Sequence, residues 1–163
     1  MKFLGVFIEM CEDEEQELKK AKKAETSHKK YIEKNKNELD QSLIDLYCEN
    51  EYFHDAEVLK IVYVGNDTDR KNQLDSFQVE LALEESMVQI DFLGVESIKI
   101  EDIKEGSENN PYLGRLPESY ESILYCELRR LRGKYVFDCI ISSGKELTIV
   151  YKESKCKVLQ QYK

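Results

Sequence analysis

The chain has 163 residues, 35% of them charged, and a net charge of −9 at neutral pH. This length suits a single domain with its own core. The acidic balance disfavours direct binding to nucleic acid, which requires clustered Lys and Arg. The N-terminal apolar run over residues 2–10 is too short for a membrane span of about 20 residues and lacks the cleavage site of a signal peptide. We therefore expect a cytoplasmic protein without a membrane segment.

The cysteines and glycines argue against a metal site, a disulfide scaffold and a bound cofactor. Five cysteines form an odd set without a CxxC pair, whereas zinc sites and disulfide frameworks have close spacing or even counts. We expect reduced thiols that act as small hydrophobic side chains. Glycines stand singly, so no loop resembles a phosphate-binding sequence, and we expect no cofactor.

The N-terminal part of the chain predicts one strand followed by helix. Residues 2–10, KFLGVFIEM, have the β-branched and aromatic content of a strand, and residues 12–15 then place four acids where a helix N-terminus favours negative charge. Apolar residues recur at spacings of three, four or seven as far as residue 47, which indicates a helical segment over about 12–48. Thr26 and Ser27 are a candidate break, with Ser27 as the cap of a second helix.

Beyond residue 50 the apolar spacing changes to two, which predicts a β-rich part over about residues 56–160. We expect strands at 58–64, 77–83, 87–92, 97–103, 122–131, 134–142, 146–151 and 155–159. Turns are predicted at Glu85-Ser86, Arg132-Gly133 and Ser143-Gly144, and a longer loop at 105–114. Short connections favour antiparallel pairing.

The order of elements predicts an α+β fold in a single domain over residues 1–163. We expect an N-terminal strand and one or two helices packed on a curved, mainly antiparallel sheet or a partial barrel. An uncovered sheet edge would offer a site for dimerisation.

Charge is distributed unevenly along the chain. Residues 75–108 contain ten acids and two lysines, a balance of −8, whereas residues 129–163 contain nine bases and three acids, a balance of +6. Such segregation is compatible with steering toward a basic protein partner. The candidate partner-binding acidic surface comprises Glu80, Glu84, Glu85, Asp91, Glu96, Glu101 and Asp102.

The stretch YFHDAEVLKI contains a histidine–aspartate pair, His54 and Asp55, which raises the question of a metal site. A metal-dependent phosphohydrolase would need further histidine ligands, and His28 is the only other histidine. We therefore interpret His54 and Asp55 as a structural motif at the entry to a strand, and we expect no metal ligand there.

A second chemical interpretation is a nuclease or hydrolase core built from Asp91, Asp102 and Lys104. The two carboxylates would hold Mg²⁺, and the lysine would stabilise the attacking water or the transition state. Acid-x-Lys is a frequent coincidence in so charged a chain, and the acidic surroundings would repel a phosphate substrate. We therefore expect no catalytic residues, and metal-dependent hydrolysis remains an alternative.

Four stretches carry a resemblance to a known group of proteins: DLYCENEYFHDAEVLKIVY (45–63), QIDFLGVESI (89–98), SILYCELRR (122–130) and YVFDCIISSGKELTIVYKE (135–153). Their order resembles that of a loosely defined group of uncharacterised bacterial proteins, in which an HD-Ser or HD-Ala motif opens a β-rich half. Some members of that group resemble immunity proteins of polymorphic-toxin systems. The resemblance implies no catalytic residues.

Together these observations predict a non-enzymatic inhibitor of the immunity type that neutralises a basic toxin through an acidic surface. The alternatives are the metal-dependent hydrolase and a phage-encoded nucleic-acid mimic that blocks a host defence protein.

Overall fold

The computed structural model describes residues 14–64, 76–102 and 121–162. These residues form two α-helices and eight antiparallel strands in two sheets that are not closed into a barrel, which confirms the predicted α+β fold. The predicted strand over residues 2–10 and the predicted loop over 105–114 lie outside the described residues.

Helix α1 (Glu14–Asn35) is continuous and buries one narrow stripe of side chains. His28 and Ile32 are buried, and the half-buried residues beside them follow helical spacing, while the rest of the described surface is exposed. The predicted break at Thr26 and Ser27 is wrong. Their hydroxyls donate to the carbonyls of Lys22 and Lys23, one turn earlier, and are therefore satisfied inside the helix.

The real interruption of the helical segment comes later in the chain. A 3-10 turn (Lys36–Glu38) is followed by helix α2 (Gln41–Glu49), whose N-cap is Asp40. The Asp40 carboxylate accepts from the backbone N–H of Ser42 and satisfies one donor that the helix leaves unpaired. Helix α2 buries Leu43, Ile44 and Tyr47.

The eight strands form two four-stranded antiparallel sheets. The first sheet has the order β1-β2-β3-β8, with bounds Glu57–Val64, Ser76–Ala82, Ser86–Leu93 and Glu153–Gln161. The second sheet has the order β4-β7-β6-β5, with bounds Ser97–Asp102, Lys145–Tyr151, Lys134–Ile141 and Ile123–Leu131. The turn between β2 and β3 spans residues 83–85, so Ser86 already belongs to a strand.

Alternation of side chains explains how the strands share one core with the helices. In β2, Phe77, Val79 and Leu81 are buried while the residues between them are half-buried, as the two faces of a pleated strand require. One cluster of buried side chains contains residues of both helices and of both sheets. The two helices and the two sheets therefore share one hydrophobic core.

Gly94 lies at the corner where the chain passes from β3 to β4. Next to it, the N–H of Lys152 donates to Leu93 O at 3.0 Å and the N–H of Glu96 donates to Val150 O at 2.8 Å, so the corner is held by β7 and by the residue that joins β7 to β8. Gly94 has a φ of +60°, and a Cβ there would lie 3.0 Å from Lys152 Cδ. Both its backbone angle and this close approach favour glycine.

Two of the described cysteines face each other inside the second sheet. Cys126 of β5 and Cys139 of β6 are direct cross-strand partners, both buried and both free thiols. Burial raises the pKa of each thiol well above its ordinary value. Cys48 and Cys156 are also free and are only partly buried.

Among the described residues, no helix combines the length and the apolar character needed to cross a membrane.

We expect Gly94→Ala to lower the free energy of unfolding by about 2 kcal/mol, because the substitution adds a strained φ and displaces the Lys152 side chain. Gly144→Ala is the matched control, since Gly144 has a φ of +83° but open space around it. The control should lose about 1 kcal/mol. Urea denaturation measures both losses, and equal losses would show that the contact with Lys152 does not matter.

Candidate functional site

Among the described residues, the most unusual backbone lies between α2 and β1. Glu51, Tyr52, Phe53 and Asp55 have φ angles of 47°, 61°, 60° and 64°. For residues other than glycine, each such angle costs roughly 1–2 kcal/mol, although Asp tolerates it better than most. Residues 51–55 therefore form a strained left-handed turn. Strain of this kind persists only where the surrounding structure enforces it, and it clusters at functional sites.

Aromatic packing and hydrogen bonds enforce the left-handed turn. Phe53 is fully buried, and both Phe53 and Tyr52 make edge contacts with the Tyr47 ring at centroid distances of 5.3 and 5.2 Å. The N–H of Asp55 donates to Ile123 O at 2.9 Å, which ties the end of the turn to β5. The turn is therefore fixed between the helices and the second sheet.

The hydroxyl of Tyr47 connects helix α2 to helix α1 and to strand β5. It donates to Cys126 O of β5 at 2.7 Å, and the same oxygen lies 3.2 Å from His28 Nε2 of α1. Because the hydroxyl proton points to Cys126, His28 must be the donor, and its proton is on Nε2. Burial, and to a smaller extent the charge of Lys29, lowers the pKa of His28 to about 4. The buried imidazole is therefore neutral near pH 7.

His54 and Asp55 lie at the end of the left-handed turn, on the surface. His54 Nδ1 is 2.9 Å from Asp55 Oδ2, and the His54 ring makes an edge contact with Tyr125 at 5.8 Å. The side chains of both are substantially exposed, at 46% for His54 and 78% for Asp55. An exposed pair of this kind contributes little to stability. The position of the pair is more informative, because His54 lines two neighbouring cavities.

The larger of these two cavities, which we call the acidic groove, has a volume of about 1040 Å³. The end of α2, the left-handed turn, the start of β1, the β2–β3 turn and the end of β8 enclose it. Six of the described residues that line it are acids, and none is Lys or Arg: Glu49, Glu51, Asp55, Glu57, Glu84 and Glu85. All six are exposed or half-buried. The groove thus concentrates like charge, which is unfavourable in the free protein and favourable to a cation.

The structure brings only Glu84 and Glu85 of the predicted acidic surface into this groove. Glu80 pairs with Lys60 at 3.2 Å, and Glu96 forms an ion pair with Lys134. Three other members of the predicted set lie on strands elsewhere: Asp91 on β3, and Glu101 and Asp102 on β4.

Strand pairing between the acidic and the basic parts of the chain explains why most of the predicted acidic surface lies outside the groove. Asp91 accepts hydrogen bonds from Gln78 and Gln89 and lies opposite Lys155 of β8. In the second sheet, Asp102 lies opposite Lys145 of β7. Folding thus places much of the acidic segment beside bases that are distant in the sequence.

The alternative hydrolase site is divided between the two sheets. Asp91 belongs to the first sheet and Asp102 to the second, and Lys104 lies outside the described residues. Within residues 14–64, 76–102 and 121–162, no group of three or more His, Cys, Asp or Glu side chains is arranged to hold a metal ion.

Sequence reasoning missed Glu49, Glu51 and Glu57 as members of a site. They lie outside the acidic segment and are spread over a helix end, a turn and a strand start. The one local signal was the HD pair, because Asp is among the residues that tolerate a positive φ. Contact of this region with Glu84 and Glu85 depends on the tertiary fold.

Comparison of the chain with protein-family models and with curated proteins found no match. The geometry of the site and the charges around it therefore carry the functional argument.

The lowered pKa of His28 predicts that the protein loses stability in mild acid. An unfolded histidine titrates near 6.5, so folding is favoured fully above that pH, and the contribution is lost as pH falls from 6.5 toward 4. We expect a loss of about 2 kcal/mol in the free energy of unfolding between pH 7.5 and pH 5.

His28→Gln should remove this part of the pH dependence, whereas His54→Gln should keep it, because only His28 is buried. Urea denaturation of the three proteins at both pH values provides the measurement. A wild-type protein whose stability changes no more than that of His28→Gln would contradict the assignment.

Proposed function

We propose that this protein is a non-enzymatic, cytoplasmic inhibitor of the immunity type, which neutralises a toxin by binding a basic segment of it in the acidic groove. The observation that carries this proposal is the convergence of six carboxylates, without a lysine or arginine among the described lining residues, on one groove. Elsewhere, acids such as Glu80 and Glu96 are paired with lysines.

The charge of the groove suits a protein partner. Carboxylates arranged around a cavity attract a basic surface over distances up to about 8 Å at physiological ionic strength and increase the rate of association. Toxins that act on nucleic acid carry basic surfaces, since they must bind phosphates. An acidic inhibitor that occupies such a surface competes directly with the substrate.

The size and rigidity of the groove support the same proposal. A volume of about 1040 Å³ is at the upper end of the range for small-molecule sites and suits several side chains of a protruding loop. One wall is the left-handed turn, which aromatic packing holds in a single conformation. A fixed wall reduces the entropy that binding would otherwise cost. The resemblance of residues 45–153 to proteins that include immunity-like members agrees with this function.

The first experiment is coexpression of this protein with the adjacent gene. We expect the product of that gene to be basic and toxic when expressed alone, and growth to be restored when this protein is present. The purified pair should form a complex whose association rate falls as salt increases. An adjacent gene product that is neither toxic nor bound would contradict the proposed function.

The second experiment separates the groove from the rest of the acidic surface. The double substitution Glu84→Gln and Glu85→Gln should lower the association rate with the toxin about tenfold at low salt, because it removes two charges from the groove. Glu101→Gln is the matched control, since Glu101 is an exposed acid on the second sheet. Its effect should be less than twofold.

Both groove substitutions should leave the unfolding free energy of the free protein within about 0.5 kcal/mol of the wild type, since Glu84 and Glu85 are exposed. Urea denaturation checks this. Equal effects of the groove variant and of Glu101→Gln on association would show that the groove is not the binding surface.

A further inference from the structure

A second cavity, of about 450 Å³, adjoins the acidic groove, and we call it the aromatic pocket. It lies between α1, the end of α2, the left-handed turn and β5. Four rings line it among the described residues: His28, Tyr52, His54 and Tyr125. Glu51 and His54 also line the acidic groove, so the two cavities share a wall.

The ring of Tyr52 is held in place from two sides. It makes edge contacts with the His28 ring at 5.5 Å and with the Tyr47 ring at 5.2 Å. The backbone of Tyr52 belongs to the left-handed turn, which leaves the chain little freedom to redirect the ring. Tyr52 is therefore a rigid aromatic surface at the edge of the pocket.

A cation already occupies this surface. Lys29 Nζ lies 5.8 Å from the centroid of the Tyr52 ring, within the range of a cation–π interaction. Lys29 belongs to the exposed part of α1 and itself lines the pocket. Because its side chain is long, flexible and exposed, it can leave the ring without disturbing the fold. The contact with Lys29 thus indicates that the Tyr52 ring favours a cationic group.

Two carboxylates of the described chain also line the pocket. Glu25 precedes Lys29 by one turn of α1, and Glu51 lies next to Tyr52 in the left-handed turn; both are exposed and line the cavity. A group that replaced Lys29 over the ring would therefore meet carboxylate oxygens beside it. The buried His28 adds no positive charge near pH 7, because burial lowers its pKa to about 4.

We propose that the aromatic pocket anchors one arginine side chain of the basic partner, with the guanidinium on the Tyr52 ring in place of Lys29 and hydrogen-bonded to Glu51 or Glu25. This inference rests on the proposed function and names the residue type that the site recognises. Arginine fits better than lysine because its planar guanidinium both stacks on aromatic rings and binds carboxylates through two N–H groups. Buried arginine and tyrosine contacts are frequent binding hot spots.

A direct test uses N-acetyl-arginine-amide as the probe and N-acetyl-citrulline-amide as its neutral control of nearly the same shape. Binding is followed through the NMR signals of the tyrosine and histidine rings. The arginine derivative should shift the signals of Tyr52 and His54 in a saturable way and bind at least tenfold more tightly than the citrulline derivative. Equal binding of the two compounds, or no saturable shift, would overturn the proposal.

Three variants locate the effect in the pocket. Lys29→Gln removes the internal competitor and should increase affinity for the arginine derivative two- to fivefold. Glu51→Gln should lower affinity at least threefold, and Glu101→Gln, an exposed acid on β4 that does not line the pocket, should leave it unchanged. Lys29 and Glu51 are exposed, so the variants remain folded. Unchanged affinity in both Lys29→Gln and Glu51→Gln would contradict the proposal.

The two proposals can fail separately. If the adjacent gene product does not bind but the arginine derivative does, the proposed partner is wrong and the pocket is still a guanidinium site. If the toxin binds and the substitutions at Glu84 and Glu85 weaken it, while Lys29→Gln, which alters the pocket and not the groove, changes neither toxin nor probe binding, the groove is correct and the pocket is wrong.

Discussion

The buried hydroxyl of Tyr47 is the point at which three elements of the fold meet. It belongs to α2, donates to β5 through Cys126 O and accepts from His28 of α1, so a single oxygen links both helices to the second sheet. The Tyr47 ring also supports Tyr52 and Phe53 in conformations that their backbones would otherwise avoid. Tyr47 thus supports the left-handed turn, which forms a wall of both cavities.

Two unfavourable features of the free protein occur at the same place. The left-handed turn stores backbone strain, and the groove beside it gathers six carboxylates. Phe53 of the turn belongs to the buried core, whereas none of the six groove carboxylates does. Selection for stability alone would remove such features, whereas selection for binding would retain them. Their coincidence is the strongest physical reason to place function at this junction.

Local patterns predicted most of the fold, whereas tertiary contacts produced the site. Alternation in residues such as Phe77, Val79 and Leu81 depends only on strand geometry, and turn residues such as Gly133 adopt the positive φ that their position requires. The prediction of a helix cap at Ser27 is wrong because a serine hydroxyl finds a hydrogen-bond partner inside a helix as well as at a cap. The acidic groove could not be predicted from the sequence, because the distribution of charge along a chain does not show which strands will pair with a basic neighbour.

The pair of thiols in the second sheet allows the local opening of that sheet to be measured by chemical modification. Cys126 and Cys139 are buried against each other, and their high pKa values keep them protonated, so alkylating reagents, which attack the thiolate, do not modify them in the folded state. Cys48 is partly exposed on the wall of the aromatic pocket, so its thiol is accessible to such reagents, although burial raises its pKa too. The rate at which the buried pair is modified therefore measures how often the sheet opens, within the same molecules in which Cys48 reports the state of the pocket.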